Sequence, residues 1–431
     1  MLIHSLFIIH ILNIISSVLV VGQFMPQQRF LQTSVLDNDR VRWYILGGNY
    51  DTQSTSDLSE VLYLDLSKPF NTSLPPWNRD LSTIPFAIEL STACITSSSI
   101  FLIGGEMHDP TTQILSPLPP PVLTLNLTNY NWTIPNITGM NNSFLGRQTL
   151  QAVIDDSGKI FLNGGINFTD HIKLTGTIFG DMNILDTNTM TWSTLPIQSI
   201  PMTGYTATLI KTGEILYIGG ESENTPPGTL IDINQIHKFN TKSLIWSTMP
   251  TNGDKISNRF RHSAVLTQNG TIIIFGGQSS TNYIQAPPDL VMLDTNVYPM
   301  KWRALNVSPT NAPPSLTCHS ATLFDNFMII AFGKITVASG GSGKLNSQIY
   351  VFDTLNNEWV TSTNRTSNST NLNNKSTNII SNSQIPVVII LFIVIGLIIF
   401  FTIAGALIYR KYRNYIMEKK STESFHDLLA T

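Results

Sequence analysis

Between residues 30 and 363 the chain repeats one pattern of apolar and polar positions six times. A short run of Ile, Leu, Val, Phe or Tyr ends on a glycine pair, and a variable stretch follows. A second apolar run ends on Asp or Asn, and a tryptophan comes soon after. Five pairs are intact: Gly47-Gly48, Gly104-Gly105, Gly164-Gly165, Gly219-Gly220 and Gly276-Gly277. In the sixth unit Phe332 stands in the first place, before Gly333. Successive second glycines are 57, 60, 55, 57 and 56 residues apart. The tryptophans Trp77, Trp132, Trp192, Trp246, Trp302 and Trp359 follow them at 25 to 29 residues, and only Trp43 lies outside the series. The third marker is Asp65, Asn126, Asp186, Asn240, Asp294 and Asp353. Three markers holding one register across six units define an internal repeat.

Each unit offers four strand-length runs, such as His262–Gln268, Thr271–Phe275, Leu290–Leu293 and Lys301–Asn306. They are rich in β-branched and aromatic residues and bounded by turn residues. One four-stranded sheet cannot bury both its faces. Packed radially against neighbours it can, and a closed ring leaves only short edges. The predicted fold is therefore all-β, a six-bladed propeller. Glycine pairs suit strand ends near the axis, where a turn or a close backbone approach excludes a side chain. Each tryptophan is expected to fill the space between adjacent sheets, burying roughly 150–250 Å². The chain enters an inner strand near Leu31 and leaves after Trp359, so no strand need be exchanged between the ends. Gln23 to Phe30 has room for a short edge pairing at most.

These units resemble kelch repeats over about Phe30 to Thr363. The best match is the unit with Arg259, His262-Ser263-Ala264, Gly276-Gly277, Leu293-Asp294-Thr295 and Trp302. Other units depart from it at Phe332, and at Ser91, Leu150 and Tyr205 where this one has His262. The resemblance implies a kelch-type propeller, and two functional classes come with that fold. One is a non-catalytic module for protein or glycan recognition. The other is a galactose-oxidase-like copper enzyme, whose site requires two His nitrogens, two Tyr oxygens, a Tyr–Cys cross-link and an adjacent Tyr-His pair. No Tyr here is followed by His, and His108, His171, His237, His262 and His319 are scattered among the units. Binding is the preferred class, and a structural surface protein without a dedicated ligand is a third. No catalytic, cofactor-binding or metal residue is assigned, because fold alone does not carry function.

The flanks change the picture. Residues 1–22 are nearly unbroken apolar sequence ending Val20-Val21-Gly22, the pattern of a cleaved signal peptide, although the n-region lacks a basic residue. The propeller is assigned to residues 23–363. Residues 364–384 are dominated by Asn, Ser and Thr and are expected to be a flexible stalk. Residues 385–409 contain the charge-free run from Val387 to Tyr409, long enough to cross a bilayer. Arg410, Lys411 and Arg413 open the tail, 410–431, and set it on the cytosolic side. The chain is thus expected to be a single-pass type I membrane protein of the cell surface or secretory pathway. Sequons begin at Asn71, Asn126, Asn131, Asn136, Asn141, Asn167, Asn269, Asn306, Asn364, Asn368 and Asn374, all ahead of that run.

Charge adds one exclusion. Charged residues make up 12% of the 431 positions and the net charge is −3, with no basic cluster outside the tail, which argues against a nucleic-acid partner. Cys94 and Cys318 fall in units that are not ring neighbours, so two buried thiols are expected instead of a bridge. The segments after the glycine pairs (49–60, 106–121, 166–180, 221–235, 278–289 and 334–348) vary in length and content. A propeller gathers such loops on one face, and rigid scaffolds with variable loops usually bind something. Met107, His108, Phe168, His171 and Tyr283 are the candidates for that face.

Overall fold

The computed structural model describes residues 23–364, apart from 51–58, 113, 117–119, 141–143, 145, 171–174, 223–228, 340 and 342. It also describes helical residues 402, 404–414 and 416. The expected signal peptide, the stalk beyond Asn364 and most of the 385–409 segment lie outside these residues. Among the described residues no helix is long and apolar enough to cross a membrane. The chain divides into two units, Met1–Arg365 and Thr366–Thr431.

The first unit is a six-bladed propeller, each blade built from four consecutive antiparallel strands. Blade 1 comprises Thr33–Asp37, Arg42–Leu46, Glu60–Asp65 and Trp77–Thr83. Blade 2 comprises Thr92–Ile95, Ser99–Ile103, Val122–Asn126 and Trp132–Thr133. Blade 3 comprises Val153–Ile154, Lys159–Asn163, Asp181–Asp186 and Thr191–Gln198. Blade 4 comprises Thr206–Leu209, Glu214–Ile218, Gln235–Asn240 and Ile245–Pro250. Blade 5 comprises Ser263–Leu266, Thr271–Phe275, Leu290–Asp294 and Lys301–Ala304, with Asn252–Gly253 added in parallel on its outer edge. Blade 6 comprises Ser320–Phe324, Phe327–Ala331, Ile349–Asp353 and Glu358–Val360.

Each of the three sequence markers has a local physical cause. The first glycine of each intact pair has φ between 62° and 68°. A Cβ there would lie 2.1 to 2.5 Å from a carbonyl oxygen of the next blade, belonging to Ile88, Arg147, Met202, Arg259 or Leu316. The second glycine then donates to that same carbonyl, at 2.8 to 2.9 Å, and Gly333 donates at 2.8 Å to Arg29. The pair is therefore the joint between blades. Phe332 keeps the left-handed turn at φ 64° and buries its ring 5.3 Å from that of Trp77. The Asp or Asn marker forms an Asx turn in all six blades: its Oδ1 accepts the backbone N–H two residues on, at 2.8 to 3.0 Å.

The tryptophans lie at blade interfaces. Trp77 packs with blade 6, Trp132 with blade 1, Trp302 with blade 4 and Trp359 with blade 5. Trp192 and Trp246 belong to the cluster that runs through blades 2, 3 and 4. The core is thus distributed between sheets, one apolar seam after another, and Trp43 supplements the seam where blades 1 and 6 meet.

That seam carries a closure absent from the sequence reading. Among the described residues no strand is exchanged, but Thr72 donates to Thr361 at 2.8 Å and Thr363 donates to Phe70 at 3.0 Å. The last residues after blade 6 thereby clasp the outer part of blade 1. On the inner side, Phe30 exchanges two backbone bonds with Asn49, at 2.7 and 3.0 Å.

Candidate functional site

Six residues, one ahead of each inner strand, form a closed ring of backbone hydrogen bonds about the axis. Leu31 donates to Cys318, Cys318 to Arg261, Arg261 to Gly204, Gly204 to Thr149, Thr149 to Leu90, and Leu90 back to Leu31, at 2.8 to 3.2 Å. All six lie in the left-handed region, with φ between 53° and 65°. Glycine tolerates that conformation; the other five adopt it at a cost of roughly 1–2 kcal/mol each, offset by the ring bonds. The ring lies at the end of the blades where the glycine pairs and their variable loops emerge, since Thr33 pairs with Leu46. The six residues and their C-terminal neighbours, Gln32, Ser91, Leu150, Tyr205, His262 and His319, line an axial cavity of about 160 Å³. A second cavity, of about 320 Å³, lies at the blade 1–6 seam beside Phe70 and Phe327.

The ring residues differ in chemistry while the backbone repeats. Leu31 and Leu90 are adjacent and line one part, Gly204 leaves an open place between Thr149 and Arg261, and Thr149, Arg261 and Cys318 bring polar groups. Burial pulls the Arg261 guanidinium down, but Cys318, Glu221 and Tyr283 together hold it above its usual value. Burial pushes the Glu221 carboxyl up, with Arg261 opposing. Burial also raises Glu89; its bond from Asn49 Nδ2, at 3.0 Å, opposes that rise, and the charge of Glu106 adds to it. The axial mouth therefore brings the Arg261 guanidinium near the Glu89 and Glu221 carboxyls, whose ionisation burial disfavours.

The two ring histidines are structural. His262 Nε2 meets the Thr206 hydroxyl at 2.9 Å, and His319 Nε2 meets the Ser263 hydroxyl at 2.7 Å. Burial holds His319 down to about 3, and burial with the nearby Arg259 charge holds His262 well below its ordinary value, so both stay neutral. Tyr205 donates its hydroxyl to the Asn163 carbonyl. These side chains tie each blade to its predecessor.

A further feature escaped the sequence reading. Arg29, Arg147 and Arg259 are fully buried and donate to the carbonyls of Gly47, Gly164 and Gly276, at 3.1, 2.7 and 2.8 Å. Arg29 pairs with Glu60 at 2.6 Å and Arg147 with Asp181 at 2.7 Å, whereas Arg259 takes the Pro288 carbonyl at 2.8 Å. The alternate blades place Ile88, Met202 and Leu316 at this position. A buried arginine every second blade is legible only once the carbonyl ring is known.

A model for the KLHDC2/KLHL20/DRC7 Kelch-repeats domain matches residues 204–389, which begin at the ring glycine of blade 4. Residues 204–389 thus match kelch repeats, and the propeller they belong to has six blades. Kelch domain-containing protein 3 of Rattus norvegicus is 33% identical over 135 residues, 30% of each chain. Acyl-CoA-binding domain-containing protein 4 of Arabidopsis thaliana is 24% identical over 244 residues, 53% of this chain and 32% of that protein. The putative protein tag-53 of Caenorhabditis elegans is 23% identical over 60% of this chain and 19% of its own length. The chain thus spans well under half the length of these relatives. In three dimensions it is similar to the structure of YjhT, with a TM-score of 0.56 at 14% identity, covering 78% of this chain and 98% of that one. That likeness concerns the fold alone.

The expected face residues fare unevenly. Met107 is 1% exposed and points into the seam between blades 1 and 2, so it presents nothing to a ligand. The cause is strand alternation: Ala87–Glu89 and Glu106–His108 pair as a short ribbon, which turns Met107 inward and its neighbours outward. His108 is half-buried, with Nε2 3.0 Å from Glu106 Oε1. Phe168 is half-buried on a second ribbon, Ile166–Asp170 with Thr175–Ile178, and His171 lies outside the described residues. Tyr283 has φ 58° and lies under the Lys334 ammonium, 4.7 Å from its ring centre. The described parts of three variable segments thus pair in short ribbons, where backbone groups near the axis find partners. Cys94 and Cys318 are both free and buried, Cys318 just ahead of its strand instead of on it.

Of the sequons, Asn71, Asn131, Asn136, Asn269, Asn306 and Asn364 are exposed. Asn126 and Asn167 are half-buried, and Asn126 holds the Asx turn of blade 2. Asn141, Asn368 and Asn374 lie outside the described residues.

Proposed function

We propose that this kelch propeller is a non-catalytic recognition module whose protein or glycan ligand is held at the axial mouth. The observation that carries this reading is the ring itself: one backbone geometry repeated six times, presenting six positions whose side chains are free to differ. The repeated backbone supplies a rigid frame, and Arg261 near the Glu89 and Glu221 carboxyls supplies a polar anchor beside apolar Leu31 and Leu90. A ligand with an anionic or hydrogen-bond-accepting group beside an apolar patch fits that set. Against oxidase chemistry stand the engaged Nε2 atoms of His262 and His319 and the Tyr205 hydroxyl, each already tied to the neighbouring blade.

We place the propeller on the extracytoplasmic side of a membrane, anchored by the 385–409 segment as a type I glycoprotein. The charge-free run, the basic residues after it, five exposed sequons on the propeller and a sixth at Asn364 support this. The test is glycan and peptide arrays probed with purified full-length protein, with a parallel assay for peroxide release from sugars after copper loading. Saturable binding without copper-dependent turnover is expected. Copper retained stoichiometrically, with peroxide release, overturns the reading.

A further inference from the structure

Among the described residues, one group of three His or carboxylate side chains brings its ligand atoms within 4.8 Å of one another: Glu89, Glu106 and His108. They occupy one face of the two-stranded ribbon Ala87–Glu89 with Glu106–His108. Glu89 and Glu106 are direct cross-strand partners, and His108 lies two residues further along the same strand, on the same face. The opposite face of the ribbon is anchored, because Ile88 and Met107 are buried at 0% and 1% exposure in the core between blades 1 and 2. The three side chains are thus carried on a backbone fixed from behind.

Two carboxylates placed directly opposite on a ribbon repel each other. They are also half-buried, which weakens screening by water. The neutral amide of Asn49 meets Glu89 at 3.0 Å, and His108 Nε2 already approaches Glu106 at 3.0 Å. A cation between the three groups removes the repulsion. Two carboxylate oxygens and one imidazole nitrogen suit a borderline divalent metal, with water in the remaining position. Donor atoms around zinc stand roughly 3–3.5 Å apart, given bond lengths of about 2.0–2.2 Å. The three ligand atoms lie within 4.8 Å of one another, so binding requires them to draw together toward that spacing.

We propose that Glu89, Glu106 and His108 form a Zn²⁺ site at the axial face of the propeller. The site shares Glu89 with the axial-mouth reading above, but zinc retention is read without any ligand bound there.

The experiment uses untagged full-length protein, stripped with chelator, equilibrated with Zn²⁺ and dialysed, with zinc counted by mass spectrometry. Co²⁺ titration supplies a spectroscopic readout. The wild type is expected to retain one zinc per chain and to give ligand-field bands of a low-coordinate nitrogen–oxygen site with cobalt. Removing a direct ligand costs more than the 10–100-fold typical of outer-shell changes. His108→Ala and the near-isosteric Glu106→Gln should therefore each weaken zinc binding about 100-fold or more, while metal-free melting stays within a few degrees of wild type. Absence of retained zinc in the wild type overturns the proposal. So does equal retention by wild type and by a folded Glu106→Gln variant.

Discussion

Replacing the first glycine of a pair tests the inter-blade joint at one atom. In Gly276→Ala the new Cβ would lie 2.1 Å from the Leu316 carbonyl oxygen, which already accepts the Gly277 N–H at 2.8 Å. The left-handed φ of 68° costs about 1 kcal/mol for a residue with a Cβ. Pushing the carbonyl away weakens a buried hydrogen bond, for roughly another 1–3 kcal/mol. Shifting a close-packed seam adds about 1–2 kcal/mol more. The expected loss is about 3–6 kcal/mol, read from the urea midpoint at unchanged slope or as a melting temperature lowered by several degrees. Blade 6 provides the opposing control. Phe332→Gly restores the consensus residue and relieves about 1 kcal/mol of strain. It also removes a fully buried ring that packs on Trp77 and lies 5.4 Å from the Arg29 guanidinium, a deletion worth about 3–5 kcal/mol. The net is a loss of roughly 2–4 kcal/mol, so both the consensus-breaking and the consensus-restoring change destabilise. A neutral Gly276→Ala, or a stabilising Phe332→Gly, would refute the carbonyl-joint reasoning.

Three further outcomes follow from the same geometry. Because His262 and His319 are buried neutral, with folded values below the unfolded value near 6.5, the unfolded chain binds the extra protons as pH drops. Stability should be full above about pH 6.5 and decline as pH falls toward 3, with a slope of order 1 kcal/mol per pH unit for each histidine. His319→Gln should make urea midpoints between pH 7.5 and 4.5 less steep, and an unchanged pH profile would contradict this. Arg147→Met leaves the Asp181 carboxylate without its 2.7 Å partner, and truncating one side of such a pair typically costs about 3–5 kcal/mol, less the share that solvent screens at the part-exposed aspartate. A thiol titration without reductant should find no accessible thiol in the native protein and two in denaturant; none in denaturant would reveal a bridge.

The repeat was legible because its markers are backbone necessities. A glycine facing a neighbour's carbonyl, an Asx turn and an interface tryptophan each leave one residue type at a fixed spacing. The inter-blade ring was not legible, although Leu31, Leu90, Thr149, Gly204, Arg261 and Cys318 recur 14 to 16 residues before the first-glycine position. Their shared property is a backbone angle, which five different residue types conceal. Met107 was misplaced for a related reason: the segment after Gly105 was read as loop, and its ribbon alternation turns every second residue inward. The buried arginines show the limit in the other direction. Arg259 was visible as part of the best-matching unit, but the guanidinium's partners, Gly276 and Pro288, are backbone carbonyls and have no signature in the sequence.

The most direct test of ligand recognition at the axial mouth compares two variants of the full-length protein on glycan and peptide arrays. One carries Arg261→Ala with Glu221→Gln at the mouth; the other carries Lys211→Glu with Lys242→Glu in the exposed turns at the far end of blade 4. Both are first matched to wild type in melting temperature. Binding lost at least tenfold in the mouth variant and kept in the far-end variant is the expected result. Binding kept by the mouth variant and lost by the other would place recognition on the opposite face and contradict the account.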